Sequence, residues 1–155
     1  MSQVVESHQK QGRLAAEKLA ADLAAHTISN CANQNIFPPQ YNTMITDEII
    51  ATARMVHALI WSANKIRLNE SEELYRKRRD LQKQALQKCD ELRQILQIAQ
   101  KVFHFKARKL KAWEDKIEAV EKCTASWRDS DRKMHLKAIE AAEAEPTQED
   151  KRDVS

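Results

Sequence analysis

The stretch LKAWEDKIEAVEKCTASWRDSDRKM, residues 110–134, decides the fold. Most of its large apolar side chains recur at alternating spacings of three and four, which is the period of one face of an α-helix. The stripe consists of Leu110, Trp113, Ile117, Val120, Thr124, Trp127, Asp131 and Met134. A stripe of this length is typical of the seam along which a helix packs in a bundle. We therefore expect a long helix over residues 107–138.

Three earlier segments carry the same kind of pattern. The first predicted helix covers residues 10–31, and its apolar side is formed by Leu14, Leu19, Leu23 and Ile28 among many alanines. The second covers residues 41–66, with the stripe Ile45, Ile49, Ala53, Val56, Ile60 and Ala63. The third covers residues 71–103, with the stripe Leu74, Leu81, Ala85, Leu92, Leu96, Ala99 and Phe103.

Short breaks separate these helices. Pro38 and Pro39 cannot lie inside a helix, so they belong to the connection between the first and the second helix. LNESEE precedes the third helix, where Asn69 or Ser71 suits the N-cap, and HFKAR is the predicted turn before the fourth. Four amphipathic helices with short connections predict an all-α fold, an up-down-up-down antiparallel four-helix bundle over residues 10–138.

The composition agrees with an all-helical chain. It has one glycine and three prolines in 155 residues, too little glycine for many turns or for a phosphate-binding loop. No apolar run approaches the ~20 residues of a membrane span. The three cysteines are isolated, and the start of the chain lacks the apolar core of a signal peptide. These features predict a cytoplasmic protein.

Charge divides the chain into a basic body and an acidic end. Residues 138–155 carry six acidic and two basic groups, a net charge of −4. Since the whole chain has a net charge of +3, residues 1–137 carry a net charge of +7. We expect residues 139–155 to form an acidic disordered tail and residues 1–9 to be a flexible N-terminus. A basic body favours polyanionic partners.

Two charged residues interrupt the apolar stripes. Arg78 lies on the seam of the third helix and Asp131 on that of the fourth. If the turn is centred between His104 and Phe105, a folded-back hairpin brings positions 78 and 131 opposite each other. We therefore predict an Arg78–Asp131 ion pair that sets the register of the hairpin.

The remaining basic residues form two runs. The candidate nucleic-acid or polymerase-binding residues are Lys65, Arg67, Arg76, Lys77, Arg79 and Lys83 in the first run, and Lys106, Arg108, Lys109 and Lys111 in the second. Cations at the start of the fourth helix oppose the helix dipole, so helix stability does not explain them. Phosphate contacts would explain both runs. The alternative is that both are solvated faces that keep the chain soluble.

The sequence contains no arrangement of residues that predicts catalysis. HExxH and Glu-x-x-His patterns are absent, and the five histidines are scattered. His57 lies near the seam of the second helix and reads as a hydrogen-bonded core residue. We expect no enzyme activity, no metal and no cofactor. Trp113 and Trp127 are predicted core residues, whereas Trp61 is either core or a contact with another subunit.

Several short motifs together resemble a known family. FPPQY precedes the second helix, SANKI ends it, YRKRRDLQKQAL follows, and WRDSDRK closes the bundle. In their order and spacing they resemble the accessory variability determinant proteins of diversity-generating retroelements over about residues 25–137. The matching positions are Tyr41, Ala63, Asn64, Ile66, Tyr75, Arg78, Arg79, Trp127, Ser130 and Asp131. The family has arginine where this chain has Gln40.

The resemblance implies a non-catalytic accessory protein. It implies a basic homopentamer that binds a reverse transcriptase and its template RNA and supports mutagenic cDNA synthesis. In that picture Arg76, Lys77, Arg79 and Lys83 contact RNA or the polymerase, whereas Arg78 and Asp131 are structural. The alternative is an oligomeric helical scaffold that binds a protein partner without nucleic-acid contact. A third class is a helical subunit that lends residues to a shared enzyme site.

Overall fold

The computed structural model describes residues 2–144, with side chains from residue 12 onwards, and within that range it is all-helical. Its helices are α1, Ser2–Cys31; α2, Asp47–Asn64; α3, Glu72–Phe103; and α4, Ala107–Ala144. Helix α1 packs on α2 and α4, and α3 packs on the same two helices. The predicted all-α class and the four helices are therefore confirmed.

The two outer helix ends differ from the prediction. Helix α1 begins at Ser2 instead of residue 10, so it includes most of the predicted flexible N-terminus. Helix α4 continues to Ala144, six residues into the predicted tail, because IEAAEA consists of good helix formers and the first proline comes only at Pro146. Residues 145–155, the rest of the predicted tail, lie outside the described residues.

Helix α2 begins later than the sequence predicts, because the two prolines shape its approach. Pro38 is extended, with ψ 139°, and a 3₁₀ turn, Pro39–Tyr41, follows it. A π-helical turn, Asn42–Thr46, then leads into α2 at Asp47. This connection covers one end of the bundle, where Phe37 is buried with its ring centroid 5.1 Å from that of Phe103.

The predicted apolar side of α1 is wrong in part. Leu23 is buried, but Leu14 and Ile28 are 50% and 44% exposed, and the rest of the buried face is made of small residues. Those residues are Ala16, Ala20, Thr27 and Cys31. Small side chains let neighbouring helices come close, so Trp113 of α4 reaches Thr27 and donates a 3.0 Å hydrogen bond from Nε1 to its Oγ1. Which side chains of α1 are buried therefore depends more on how close the neighbouring helices lie than on the size of the side chain.

The stripes of α2 and α4 are confirmed, and that of α3 is partly corrected. Five of the six predicted α2 positions are buried, as are the central six of α4. In α3, Leu74, Leu81 and Phe103 are only half-buried. Their places in the core are taken by Tyr75, Gln82 and Cys89, since the buried positions alternate by three and four from Tyr75 to Ala99. Ser71 caps the helix, accepting a 3.1 Å hydrogen bond from the Leu74 amide.

The predicted Arg78–Asp131 ion pair is present and buried. Arg78 Nε lies 2.7 Å from Asp131 Oδ2, and Arg78 Nη2 lies 2.8 Å from Oδ1, which is a bidentate pairing. Both side chains are nearly inaccessible, at 4% and 0% exposure. Arg78 Nη1 also donates to the carbonyl of Ile66 at 2.8 Å, and Gln82 Nε2 donates to Asp131 Oδ2 at 2.9 Å. One network thus joins α3, α4 and the connection after α2.

Replacing Asp131 with alanine should strongly destabilise the protein. Arg78 would remain buried without its carboxylate, and breaking a buried pair from one side costs about 3–5 kcal/mol. Urea denaturation followed by circular dichroism measures this loss of unfolding free energy. Asp129→Ala is the matched control, since Asp129 is an exposed residue that pairs with Arg132 and Lys133. Equal stability losses for the two variants would contradict the structural role of the buried pair.

Candidate nucleic-acid interface

The first run of candidate residues lies where α2 ends and α3 begins. We call Lys65, Arg67, Arg76, Lys77, Arg79 and Lys83 the α3 basic surface, and all but Arg79 are exposed. Arg76 pairs with Glu72 at 3.4 Å and Arg67 with Glu70 at 4.0 Å, both as exposed contacts that contribute little to stability. Within the described chain, Lys77 and Lys83 have no carboxylate at salt-bridge distance.

Arg79 does not lie on the exposed face of α3 that carries Arg76 and Lys83. It is half-buried against α4, and its Nη1 donates a 3.1 Å hydrogen bond to the carbonyl of Arg128. Its guanidinium carbon also lies 5.6 Å from the centroid of the Tyr75 ring. The reason is the buried Arg78, because fixing that residue towards the core turns Arg79 towards the flank of α4.

This contact brings two arginines together. Burial and the positive charge of Arg79 both lower the pKa of Arg128, and the Arg128 Nε atom is buried with no hydrogen-bond partner. Among residues 12–144, neither arginine has a carboxylate within salt-bridge distance. The two positive charges are therefore left uncompensated in a partly desolvated position, which costs free energy until an anion approaches.

A polar stack flanks the two arginines. The Tyr75 and His135 rings are stacked with their centroids 3.5 Å apart, and His135 Nε2 lies 2.8 Å from Glu72 Oε2. These contacts hold the first turns of α3 against α4. Their effect is to position the backbone that carries Arg79.

The second run of candidate residues lies at the opposite end of α3, at the start of α4. We call Lys106, Arg108, Lys109 and Lys111 the turn basic cluster, and it is separated from Arg76 by roughly 40 Å of helix. Lys106, Arg108 and Lys111 are exposed. Lys109 is half-buried and donates to Asn30 Oδ1 of α1 at 3.1 Å. Lys111 pairs with Asp115 at 3.3 Å, but the first turn of α4 contains no acidic residue to offset the other charges.

A pocket of about 650 Å³ lies beside the turn basic cluster, between the end of α1 and the α3–α4 turn. We call it the turn pocket. Its lining includes the aromatic residues Phe103 and Phe105, the amide Asn35 and the cations Lys106 and Arg108, and it includes no carboxylate.

Two further residues of the turn pocket contain buried polar atoms without partners. These atoms are His26 Nε2 and Asn30 Nδ2. Burial lowers the pKa of His26, and the charges of Lys116 and Lys109 lower it further. His26 is therefore neutral at physiological pH, and it packs edge-on against the Trp113 ring.

Sequence reasoning missed Arg128, Gln82, His26 and Asn30. A signal existed for the first two. Gln82 is four residues after Arg78 on the same helix face, and Arg128 follows Trp127 in the WRDSDRK motif. No comparable signal marks His26 or Asn30, because their neighbours across the turn pocket come from distant parts of the chain.

The described residues offer little for metal or thiol chemistry. Residues 12–144 contain no group of three or more histidine, cysteine, aspartate or glutamate side chains that could hold a metal ion. Burial raises the pKa of the Cys31 and Cys89 thiols to about 12, so both stay protonated at neutral pH. In the same part of the chain, no helix is long and apolar enough to cross a membrane. His57 is half-buried beside Trp61, not in the core as predicted.

No family model matches the chain, and neither a curated protein nor a solved structure is significantly similar to it.

Acidification should destabilise the turn-pocket end of the protein through His26. Because its pKa is lowered in the folded state from the ordinary 6.5, the unfolded chain takes up the proton first as the pH falls. The stability that neutral His26 contributes is complete above that ordinary value and is lost as the pH falls through the folded-state pKa. The melting temperature of the wild type should fall more steeply than that of His26→Gln between about pH 7.5 and about pH 5.5.

The comparison of the two pH profiles removes the contributions of the other histidines, which both proteins share. Parallel profiles for the wild type and His26→Gln would show that His26 is not the group that titrates. The measurement is differential scanning fluorimetry in buffers of constant ionic strength.

Proposed function

We propose that this protein is a non-catalytic, cytoplasmic accessory protein of a diversity-generating retroelement. In this function it binds a reverse transcriptase and its template RNA and supports mutagenic cDNA synthesis. The retroelement assignment rests on the motif resemblance, and the observation that carries the RNA-binding part is the contact between Arg79 and Arg128, two partly buried arginines without a carboxylate partner among the described residues. A phosphate group of RNA supplies the missing negative charge.

The alternative explanation of the basic residues, a solvated face, does not account for this contact. Solvated cations extend into water, where repulsion between them is screened. Arg128 instead has a buried Nε atom and a lowered pKa. Arginine is the side chain best suited to phosphate, because its planar donors match the phosphate oxygens. The exposed Lys77 and Lys83 extend the same positive surface along α3 for non-specific backbone contacts.

The packing of the motif residues supports the resemblance on which the retroelement assignment rests. Arg78 pairs with Asp131 and lies 5.1 Å from the Trp127 ring centroid, while Arg79 lies over Tyr75. Asn64 bonds to α1 through the carbonyl of Arg13 and the carboxylate of Glu17. Three of the four motifs thus contribute to one end of the molecule, as fold determinants of a shared architecture would, whereas Tyr41 of FPPQY packs against Phe103 at the other end.

That architecture is, in our proposal, the up-down-up-down antiparallel bundle. Contacts along the helices support it. On α3 and α4, Arg78 meets Asp131 and Arg93 meets Glu121, so the numbers fall on one helix as they rise on the other. On α1 and α4, the Thr27–Trp113 and Asn30–Lys109 contacts fit the same order, since Gly12 lies opposite Trp127.

We further propose that the protein assembles as a homo-oligomer, with five subunits as the resemblance implies. The surface we assign to assembly is the outer side of α1 and α2, which we call the α1–α2 apolar face: Leu14, Ile28, Met55 and Trp61. Each of these side chains is 44–50% exposed. They line two successive shallow depressions between the helices, and half of the residues that line one of them are alanines. Exposed apolar patches of this kind mark protein contacts.

The same face favours the alternative function, a helical scaffold that binds a protein partner without touching nucleic acid. Trp61 carries Lys65 above its ring, with Nζ 5.1 Å from the ring centroid, so a cation of the α3 basic surface adjoins the apolar face. Salt dependence separates the two functions. Phosphate contacts make the affinity fall steeply with salt, whereas an apolar protein interface is far less sensitive.

Replacing Arg128 with glutamine should weaken RNA binding without destabilising the fold. The substitution removes one phosphate contact, so the negative slope of log affinity against log salt should become shallower by about 0.7 for single-stranded RNA. It also removes a charge that repels Arg79, so the melting temperature should stay unchanged or rise. Fluorescence anisotropy with a labelled RNA that contains single-stranded loops, at several salt concentrations, measures the slope.

Lys122→Gln is the control for this experiment. It removes the same charge from α4, but Lys122 is exposed and already paired with Glu118 at 2.9 Å. Equal losses of RNA affinity in the two variants would mean that only net charge matters. A wild-type protein that ignores RNA at low and moderate salt would overturn the RNA part of the proposal and leave the scaffold function.

Replacing Met55 with glutamate should dissociate the oligomer, because a buried carboxylate without a partner would be placed in the apolar interface. Size-exclusion chromatography with light scattering measures the mass of the particle. Met44→Glu is the matched control, since Met44 is 73% exposed and lies outside the α1–α2 apolar face. A wild-type monomer, or an oligomer that survives Met55→Glu and yields to Met44→Glu, would contradict the assignment of this face.

A further inference from the structure

We propose that the turn pocket receives one unpaired nucleotide of the bound RNA, with the base against the aromatic wall and the phosphate against the turn basic cluster. The inference rests on the proposed function and deepens it, because it assigns a second, structurally different contact to the same ligand. It concerns the end of the molecule opposite Arg79 and Arg128.

The size and the lining of the turn pocket suit a nucleotide. Its volume of about 650 Å³ falls within the roughly 300–1,000 Å³ of small-molecule sites. Phe103, Phe105 and Ile36 provide apolar surface, and Asn30 and Asn35 provide amides. Unpaired RNA bases are bound in this way, by stacking on aromatic rings and by hydrogen bonds to their polar edges.

The charge of the pocket requires an anion. Lys106, Arg108 and Lys109 all line it, no carboxylate does, and the positive end of the α4 dipole lies at the same place. These charges destabilise the helix start while nothing is bound. A phosphate group would offset them, whereas an uncharged apolar ligand would not.

The wall of the pocket has hydrogen-bonding capacity that the protein does not use. His26 Nε2 and Asn30 Nδ2 are buried without a partner in the described structure. Each costs free energy while it remains unpaired. A base has donors and acceptors along its edges, so a small rotation of either side chain on binding would supply the missing partner.

The backbone at the rim points to the same conclusion. His104 ends α3 in the left-handed conformation, with φ 57° and ψ 33°, and its amide donates to the Gln100 carbonyl at 2.7 Å. Glycine is the usual residue at this position, because a side chain is strained there. This chain has histidine there, and its side chain lines the turn pocket. Strained residues of this kind concentrate at ligand sites.

A nucleotide explains these features together, which a stretch of acidic peptide does not. Carboxylates of a peptide would satisfy the cations but would leave the aromatic wall without a planar partner. Inorganic phosphate would satisfy the cations alone. Only a ligand that combines a flat ring, polar edges and a phosphate uses every part of the lining.

The test is binding of adenosine and uridine 5′-monophosphates to the full chain, measured by isothermal titration calorimetry, with inorganic phosphate and a glutamate-rich peptide for comparison. At least one nucleotide should bind more tightly than phosphate. His104→Gly should weaken nucleotide binding at least fivefold while its melting temperature stays unchanged or rises, since the strain at residue 104 is relieved. If His104 had only a structural role, the substitution would not weaken nucleotide binding while the melting temperature stayed the same or rose.

A pair of double variants locates the site. Lys106→Gln with Arg108→Gln should abolish nucleotide binding. Arg76→Gln with Lys77→Gln removes the same charge from exposed positions of the α3 basic surface, and it should weaken RNA binding but leave nucleotide binding unchanged.

The outcomes separate this inference from the proposed function. RNA binding without nucleotide binding, or nucleotide binding that His104→Gly and the Lys106/Arg108 variant leave unchanged, overturns the inference and leaves the proposed function intact. Equal affinity for phosphate and nucleotides, or tight binding of the acidic peptide alone, overturns it as well. Nucleotide binding by a protein that ignores RNA overturns the proposed function and the RNA origin of the nucleotide.

Discussion

The buried pair of Arg78 and Asp131 is the constraint on which much of the structure depends. Two desolvated charges contribute little net stability, but they are costly to separate, so they allow one register of α3 against α4 and oppose all others. The network around them extends this choice, because Arg78 also holds the Ile66 carbonyl and Gln82 also holds Asp131. The pair thereby sets the position of the α2–α3 connection as well as the alignment of the two long helices.

The candidate interface follows from that register. Four consecutive basic residues on α3 point in four directions, and the ion pair decides which direction is inward. Once Arg78 is fixed in the core, Arg76 and Lys77 face solvent and Arg79 lies against α4 beside Arg128. The uncompensated arginines are thus a consequence of the structural pair next to them. A single sequence run supplies both a fold determinant and, in our proposal, a phosphate contact.

The opposite end of the molecule is held by aromatic packing. Phe37, from the proline-rich connection, packs among Phe103, Phe105 and Trp113, with ring centroids 5.1–6.1 Å apart. This cluster closes the core and supplies the aromatic wall of the turn pocket with the same rings. The two ends therefore differ in chemistry. One holds the buried ion pair beside two uncompensated arginines, the other combines aromatic rings with a cluster of cations, and α3 separates them.

The sequence by itself determined the all-α class, the four helices and the pairing of Arg78 with Asp131, because strong three-four periodicity and two charged interruptions are local signals that survive folding. It misassigned part of the buried face of α1, where Leu14 and Ile28 are exposed and alanines are buried. Which face of α1 is buried depends on how closely α2 and α4 approach it, and the sequence of α1 alone does not contain that information. It marked the basic residues but not their division into exposed and half-buried ones. Only the tertiary structure placed Arg128 against Arg79 and assembled His26, Asn30 and Phe105 into a pocket, because those contacts join positions that no periodicity relates.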